Sequence, residues 1–310
     1  MAPDPQSASA VTVTPSPLRT FAPYLLMLLP GLVWGGNAIV ARAFAGELPP
    51  VGLAFWRWML AAILVLPFAW QHLRRDTPAM IRAWPIMVLL SALGIAFFNA
   101  ALYIAAQTTT ALNILMLQAA VPVLIVAATF LLFNERVTTR QAAGVVLSLA
   151  GAMTLITHGD LRVLTELAFN VGDLWMLAAC ILYAVYTALL RLRPAVHWLS
   201  FLFAIFFVGA MLLLPFYIGE SLLAYPMPIS LRALMAIGYV SLFASAIGYG
   251  AYNRAVELLG ANTAGLSVYL VPVFGTVFAV LLLDERPELY QLVGIALIVA
   301  GILLATRRNA

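Results

Sequence analysis

Charge is what this chain has least of. Of 310 residues only 9% are Asp, Glu, Lys or Arg, and 64% are apolar. That leaves too little polar surface to cover a water-soluble fold. Lysine is missing: all sixteen basic side chains are Arg. They sit in short segments between apolar runs and form no basic stripe, so the pI near 9.4 does not point to nucleic acid. One cysteine, Cys180, lies inside an apolar run. It cannot form an intrachain disulfide and reads as a buried thiol. The three histidines, His72, His158 and His197, fall in loops or at the ends of runs, where they cannot build an intramembrane metal site or proton relay. No Asp or Glu lies near the middle of any run, whereas a proton-coupled pump ordinarily needs a titratable group at depth. A phosphate-binding glycine loop and an intramembrane Ser/His pair are lacking as well, which argues against a membrane enzyme. Period-two alternation, the mark of a membrane barrel, is not seen.

What is present is a series of apolar runs of about 20 residues, which satisfy their backbone in lipid only as helices. Ten spans can be placed: Tyr24–Phe44, Val51–Trp70, Trp84–Gln107, Ala111–Phe133, Thr138–Thr157, Gly172–Leu190, His197–Ile218, Leu231–Glu257, Thr263–Leu283 and Leu289–Thr306. Residues 1–20, rich in Ala, Pro, Ser and Thr, read as a disordered tail.

The chain is duplicated. Residues 111–151, moved forward by 150 positions, match 261–301 at thirteen of forty-one positions without a gap. Val121-Pro122-Val123 matches Val271-Pro272-Val273, Glu135-Arg136 matches Glu285-Arg286, and Gln141, Gly144 and Gly151 match Gln291, Gly294 and Gly301. The expected units are residues 21–158 and 159–310. Five spans per unit is an odd number, so the second repeat runs opposite to the first, and a site is expected where the halves meet. With the N-terminus inside, eleven Arg fall on the inner side and four on the outer. This sets the orientation, and with ten spans the C-terminus returns to the same, cytoplasmic side. The expected location is a bacterial inner membrane.

Polar residues recur at helical spacing inside the spans. The third carries Ser91, Asn99, Tyr103 and Gln107; the eighth carries Ser241, Ser245, Tyr249 and Asn253. The two stripes correspond under the 150-residue shift. They read either as the lining of a shared cavity or as interhelical glue. The first span has Trp34-Gly35-Gly36-Asn37 and then Arg42; the sixth has Tyr183, Tyr186 and Arg191. The paired glycines would let a neighbour or ligand approach. Gln118, Ser267 and Tyr269 are further candidates. Pro122 and Pro272, mid-span, predict kinks that serve as hinges or only as packing bends. Arg57, seven residues into the second span, either snorkels outward towards Glu47 or meets a substrate carboxylate. Gly144, Ser148, Gly151, Gly294 and Gly301 predict close helix packing.

Trp34-Gly35-Gly36-Asn37 with Arg42, Phe55-Trp56-Arg57, and the paired Pro122…Asn134-Glu135-Arg136 and Pro272…Asp284-Glu285-Arg286 blocks resemble the ten-helix EamA branch of the drug/metabolite transporters, from about Leu29 to Thr306. Within that branch the chain is most similar to the YddG-type exporters of aromatic and neutral amino acids. The resemblance implies an all-α membrane fold of ten helices in two inverted five-helix repeats around a central cavity. The smaller four-helix relatives carry a mid-membrane Glu in their first helix, where this chain has Asn37.

The expected function is export of aromatic or neutral amino acids by alternating access, without a mid-membrane proton-carrying carboxylate. Trp34, Tyr103, Tyr183, Tyr186, Tyr249 and Tyr269 would supply rings, and Asn37, Asn99, Gln118 and Asn253 hydrogen bonds. The alternative is an exporter of organic cations, which aromatic walls also attract. The expected partners are a small-molecule substrate and membrane lipid, with no nucleic acid and no cofactor. The expected functional unit is a monomer.

Overall fold

The structure is a computed structural model and describes residues 23–164, 170–223, 226–282 and 288–306. The tail at 1–20 and Asp284-Glu285-Arg286 lie outside the described residues, as does the side chain of Arg42. The described residues are nearly all helical and contain no strand.

Ten helical spans follow one another: α1 (Leu28–Ala43), α2 (Pro50–Arg82), α3 (Trp84–Thr108), α4 (Ala111–Phe133), α5 (Thr139–Ile156), α6 (Val171–Leu189), α7 (Trp198–Leu223), α8 (Leu231–Leu259), α9 (261–282) and α10 (Leu289–Thr306). Among the described residues α2 to α10 are long and apolar enough to cross a bilayer, and an apolar helical segment precedes them. The protein is therefore an integral membrane protein.

Three spans differ in form from the sequence expectation. α2 does not stop near Trp70. It runs 33 residues to Arg82, about 50 Å at 1.5 Å per residue, past a hydrocarbon core of about 30 Å. Its charged last turns end the apolar run but not the helix, because water solvates those side chains without disturbing the backbone. α4 and α9 are broken rather than kinked. α4 divides at Ala120 into Ala111–Ala119 and Val121–Phe133, so Pro122 lies in a first turn, where its missing N–H costs nothing. α9 passes from a short helix (Ala261–Gly265) through a 3₁₀ turn (Leu266–Tyr269) into Leu270–Leu282, which puts Pro272 in a first turn too.

α3 and α8 each contain a π-helical turn, at Ser91–Phe97 and Val240–Ile247. The turns correspond under the 150-residue shift. A π turn inserts one residue into the helix and loosens its carbonyl ladder.

The inverted repeat is visible in the packing of α5 on α10. A Cβ at Gly144 would stand 2.5 Å from the Gly301 carbonyl oxygen, and one at Gly151 would stand 2.7 Å from that of Gly294. Exchange of the halves turns the first contact into the second. Ser148 Oγ donates to the carbonyl of Ile298, its own 150-residue image, at 3.4 Å, which places the pseudo-two-fold axis there. The repeated glutamines do the same work. Gln141 Oε1 accepts the N–H of Thr138 at the start of α5, and Gln291 Oε1 accepts that of Glu288 before α10, both at 2.9 Å.

Candidate functional site

The site grows from Arg57, which is 1% exposed. The sequence left snorkelling towards Glu47 open; the structure overturns it. Glu47 pairs with Arg232 at 3.2 Å. Arg57 turns inward, and three side chains from other helices hold it. Its Nε donates to Ser245 Oγ on α8 at 2.7 Å. Its Nη1 donates to Asn37 Oδ1 on α1 at 2.7 Å and to the Tyr103 hydroxyl oxygen on α3 at 2.9 Å. Tyr103 in turn donates to Asn37 Oδ1 at 2.9 Å. Among the described residues Arg57 has no carboxylate partner, and its Nη2 donates to nothing. Four helices from both repeats thus fix the orientation of one unneutralised guanidinium.

That guanidinium lines a cavity of about 40 Å³ between the halves. Trp34, Phe98, Tyr183 and Tyr249 give it ring walls, Leu102, Val121, Val268 and Val271 aliphatic ones, and Asn37 and Gln118 amides. Trp34 meets Tyr183 and Tyr249 edge-on, with centroids 5.9 and 5.7 Å apart. Two of these rings are pinned by the π turns. Trp34 Nε1 donates to the carbonyl of Ala244 at 3.0 Å, and the Tyr249 hydroxyl donates to that of Gly94 at 2.9 Å.

The other predicted residues stand behind this wall. Asn99 is fully buried and reaches Tyr249 through Nδ2 at 3.4 Å. Tyr103 stands behind Arg57. Tyr186 donates to Asn253 Oδ1 at 2.8 Å, and the hydroxyls of Thr187 and Tyr252 bond at 3.0 Å. Both links join α6 to α8. Tyr269 lines a separate hollow of about 10 Å³ together with Gln118 and Pro272. Gly35 is not a point of close approach: a Cβ there would lie 3.9 Å from Val271. Sequence reasoning missed Trp58, Tyr252 and Phe98. All three are aromatics off the polar stripes, and nothing in a one-dimensional pattern separates them from lipid-facing rings.

A larger hollow, of about 910 Å³, opens at the bundle end where the α2–α3, α4–α5, α6–α7 and α8–α9 connections lie. Thr187 and Asn253 line its floor, one helical turn beyond Tyr183 and Tyr249 of the central cavity. The Tyr186–Asn253 and Thr187–Tyr252 pairs are therefore the layer between the two spaces. Around the mouth, Glu135 binds Arg191 at 2.9 Å and the Asn262 amide at 3.1 Å, which ties α4 to α6 and α9. The His72 and His197 rings stack at 3.6 Å, and Asp76 Oδ2 accepts the backbone N–H of His197 at 3.0 Å, which ties α2 to α7. Burial and the neighbouring His72 hold the His197 imidazole below its ordinary pKa; Asp76 opposes this and Arg254 adds to it.

The EamA-like transporter model matches this chain twice, over residues 21–157 and 170–307. The chain belongs to the EamA-like transporter family. It is similar to an uncharacterized transporter of Archaeoglobus fulgidus, with 30% identity over 92% of this chain and 98% of that one. It is similar to a protein of Escherichia coli named as a probable amino-acid metabolite efflux pump, with 28% identity over 90% and 92%. A protein of Streptantibioticus cattleyicolor named as a probable terminal-alkyne amino-acid exporter is 29% identical over 74% of this chain and 75% of its own. Membership in this family makes the EamA chain described here a membrane transporter of small molecules.

Proposed function

We propose that this EamA-like protein exports small amphipathic metabolites, with aromatic and large neutral amino acids as the central class. One observation carries the reading: a ring-walled cavity on the boundary of the two repeats is lined by a buried guanidinium whose Nη2 has no acceptor among the described residues. At about 40 Å³ the cavity is closed around little more than water; once the halves part, its rings receive the apolar side chain and Arg57 the carboxylate. The names of two relatives, an amino-acid metabolite efflux pump and a terminal-alkyne amino-acid exporter, both probable, point to the same chemistry. Tyr103, Asn37 and Ser245 position the guanidinium, and the Tyr186–Asn253 layer parts to admit cargo from the large hollow. By its Arg bias that hollow faces the cytoplasm, which puts both termini there in an inner membrane. Rocking of one repeat against the other would then expose the cavity outward. Among the described residues no carboxylate lines the cavity, so movement down the substrate's own gradient is the simpler mechanism. The ring walls keep an organic-cation exporter as the second reading, but a fixed positive charge in the same wall opposes it.

The test is counterflow of labelled phenylalanine in proteoliposomes, with and without a pH gradient and with methyl viologen as competitor. Phenylalanine exchange that methyl viologen leaves untouched is expected. Transport of methyl viologen alone would overturn the substrate class, and a strict need for a pH gradient would overturn the facilitated mechanism.

A further inference from the structure

We infer that the site selects cargo by net charge: its preferred ligands are aromatic or bulky apolar carboxylates of net charge −1, ahead of zwitterionic amino acids with the same side chain. This rests on the exporter reading above, and within it moves the preferred cargo from neutral amino acids to anionic carboxylates with the same apolar side chains.

The donors and acceptors on the cavity wall suit one charge type better than another. A guanidinium has five N–H groups. Three are committed at Arg57, to Ser245, Asn37 and Tyr103, and the two on Nη2 have no protein acceptor among the described residues. A carboxylate can take a charge-assisted hydrogen bond from Nη2 and cancels the charge, although the parallel two-nitrogen fork is not open to it because Nε and Nη1 are committed. The same wall is poor for an ammonium. Among the described residues no Asp or Glu lines the cavity. The Asn37 carbonyl oxygen already accepts from Arg57 and Tyr103. Asn99 Oδ1 lacks a partner, but Asn99 is fully buried and not part of the cavity wall. That leaves two neutral groups on the wall: the Gln118 amide, which makes no hydrogen bond to the described residues, and the Tyr183 hydroxyl, which has no partner among them. Either can accept from an ammonium, but neither brings a charge to balance it.

The charge count decides between ligands. A monoanion brings ligand and site together to zero. A zwitterion adds nothing, so the complex keeps one surplus positive charge in a low-dielectric space, with an ammonium close to the guanidinium. A cationic ester or amide would double that surplus.

Direct binding to the full-length protein in lipid nanodiscs, read by intrinsic tryptophan fluorescence, tests the ranking. Binding is chosen because protonated acids leak across bilayers. The ligands are 3-phenylpropionate, phenylalanine, phenylalanine amide and 3-phenylpropionamide. The first is expected to bind at least about tenfold more tightly than phenylalanine, the size of effect that one surplus charge exerts in a partly screened site. Phenylalanine amide should come last. Arg57→Gln should weaken 3-phenylpropionate at least about tenfold and leave the uncharged amide within about twofold. Because that variant removes a buried anchor, Gln118→Glu supplies the second arm. It keeps Arg57, adds the missing negative charge, and should reverse the order in favour of phenylalanine.

Phenylalanine binding as tightly as 3-phenylpropionate in the wild type, or an order that Gln118→Glu leaves unmoved, would overturn the charge rule while leaving the exporter reading intact. Binding of none of the four would overturn both.

Discussion

The carbonyls of Gly94 and Ala244 are 150 residues apart, and each accepts a hydrogen bond from a ring of the central cavity. Tyr249 donates to the first at 2.9 Å and Trp34 to the second at 3.0 Å. Each carbonyl sits within a π turn, where the helical ladder leaves oxygens free for a side chain. The repeat has thus duplicated a joint as well as a sequence. Trp34→Phe and Tyr249→Phe keep most of the packing and remove one donor each. Each should cost about 1–3 kcal/mol, the cost of leaving a buried acceptor unpaired. Thermal unfolding in detergent measures it. A loss in only one of the two variants would show that the joints are not equivalent.

The α5–α10 contact predicts a sharper loss. At Gly144 the atoms in the way are the backbone of Gly301 and Ala305, at 2.5 and 2.7 Å, which no rotamer change can move. Gly144→Ala should force the helices apart and cost about 1–3 kcal/mol or more. Gly275→Ala, in open space on α9, is the control and should be near neutral. The fraction of monodisperse protein after mild heating reads both.

His197 makes the inner end sensitive to acid. Its Nδ1 accepts the Leu199 N–H at 3.3 Å, so the ring is the neutral, Nε2-protonated tautomer at the N-terminus of α7. A proton on Nδ1 would break that cap and set a positive charge against the helix dipole, His72 and Arg254, with Asp76 in partial relief. The folded pKa lies below the ordinary value near 6.5. Between the two values the unfolded chain binds the proton and the folded chain does not. This contribution to stability is therefore intact above pH 6.5 and is lost as pH falls towards the lowered value. His197→Asn keeps a capping acceptor without the titration. The melting temperature of the wild type should fall more steeply from pH 7.5 to 5.5 than that of the variant. Parallel curves would rule His197 out as the source.

Much of this architecture could be read from residues alone, and the reasons are local. The Gln141/Gln291 and Gly144/Gly294 matches are legible because a cap and a close approach each demand one residue type at one position. The ten spans are legible because lipid demands about twenty apolar residues. The orientation of Arg57 is not. Its depth follows from counting, but its direction depends on the rotation of α1, α2, α3 and α8 at once, and no single helix records that. The π turns escape for a related reason: one inserted residue shifts a stripe by about 100° yet leaves composition unchanged. Asn99 and Asn253 share a stripe with cavity residues but finish behind the wall and beneath the large hollow. The breaks at Pro122 and Pro272 were expected as kinks, because sequence shows the lost N–H but not that a new helix starts there.

Access to the cavity can be followed through the one native thiol. Cys180 is fully buried, so the wild type should resist a membrane-impermeant maleimide. In a Cys180→Ser background, Leu102→Cys puts the only thiol on the cavity wall. Labelling should be slow, because the Tyr186–Asn253 and Thr187–Tyr252 pairs close the way from the large hollow. Tyr186→Phe removes the first bond and leaves the ring, at a net cost of about 0.5–1.5 kcal/mol to the closed layer. If opening of that layer limits access, labelling should speed up by about two- to tenfold, the same energy expressed as a rate. An aromatic carboxylate in the cavity should slow it again. Unchanged labelling in Tyr186→Phe would mean that cargo reaches Arg57 by another route.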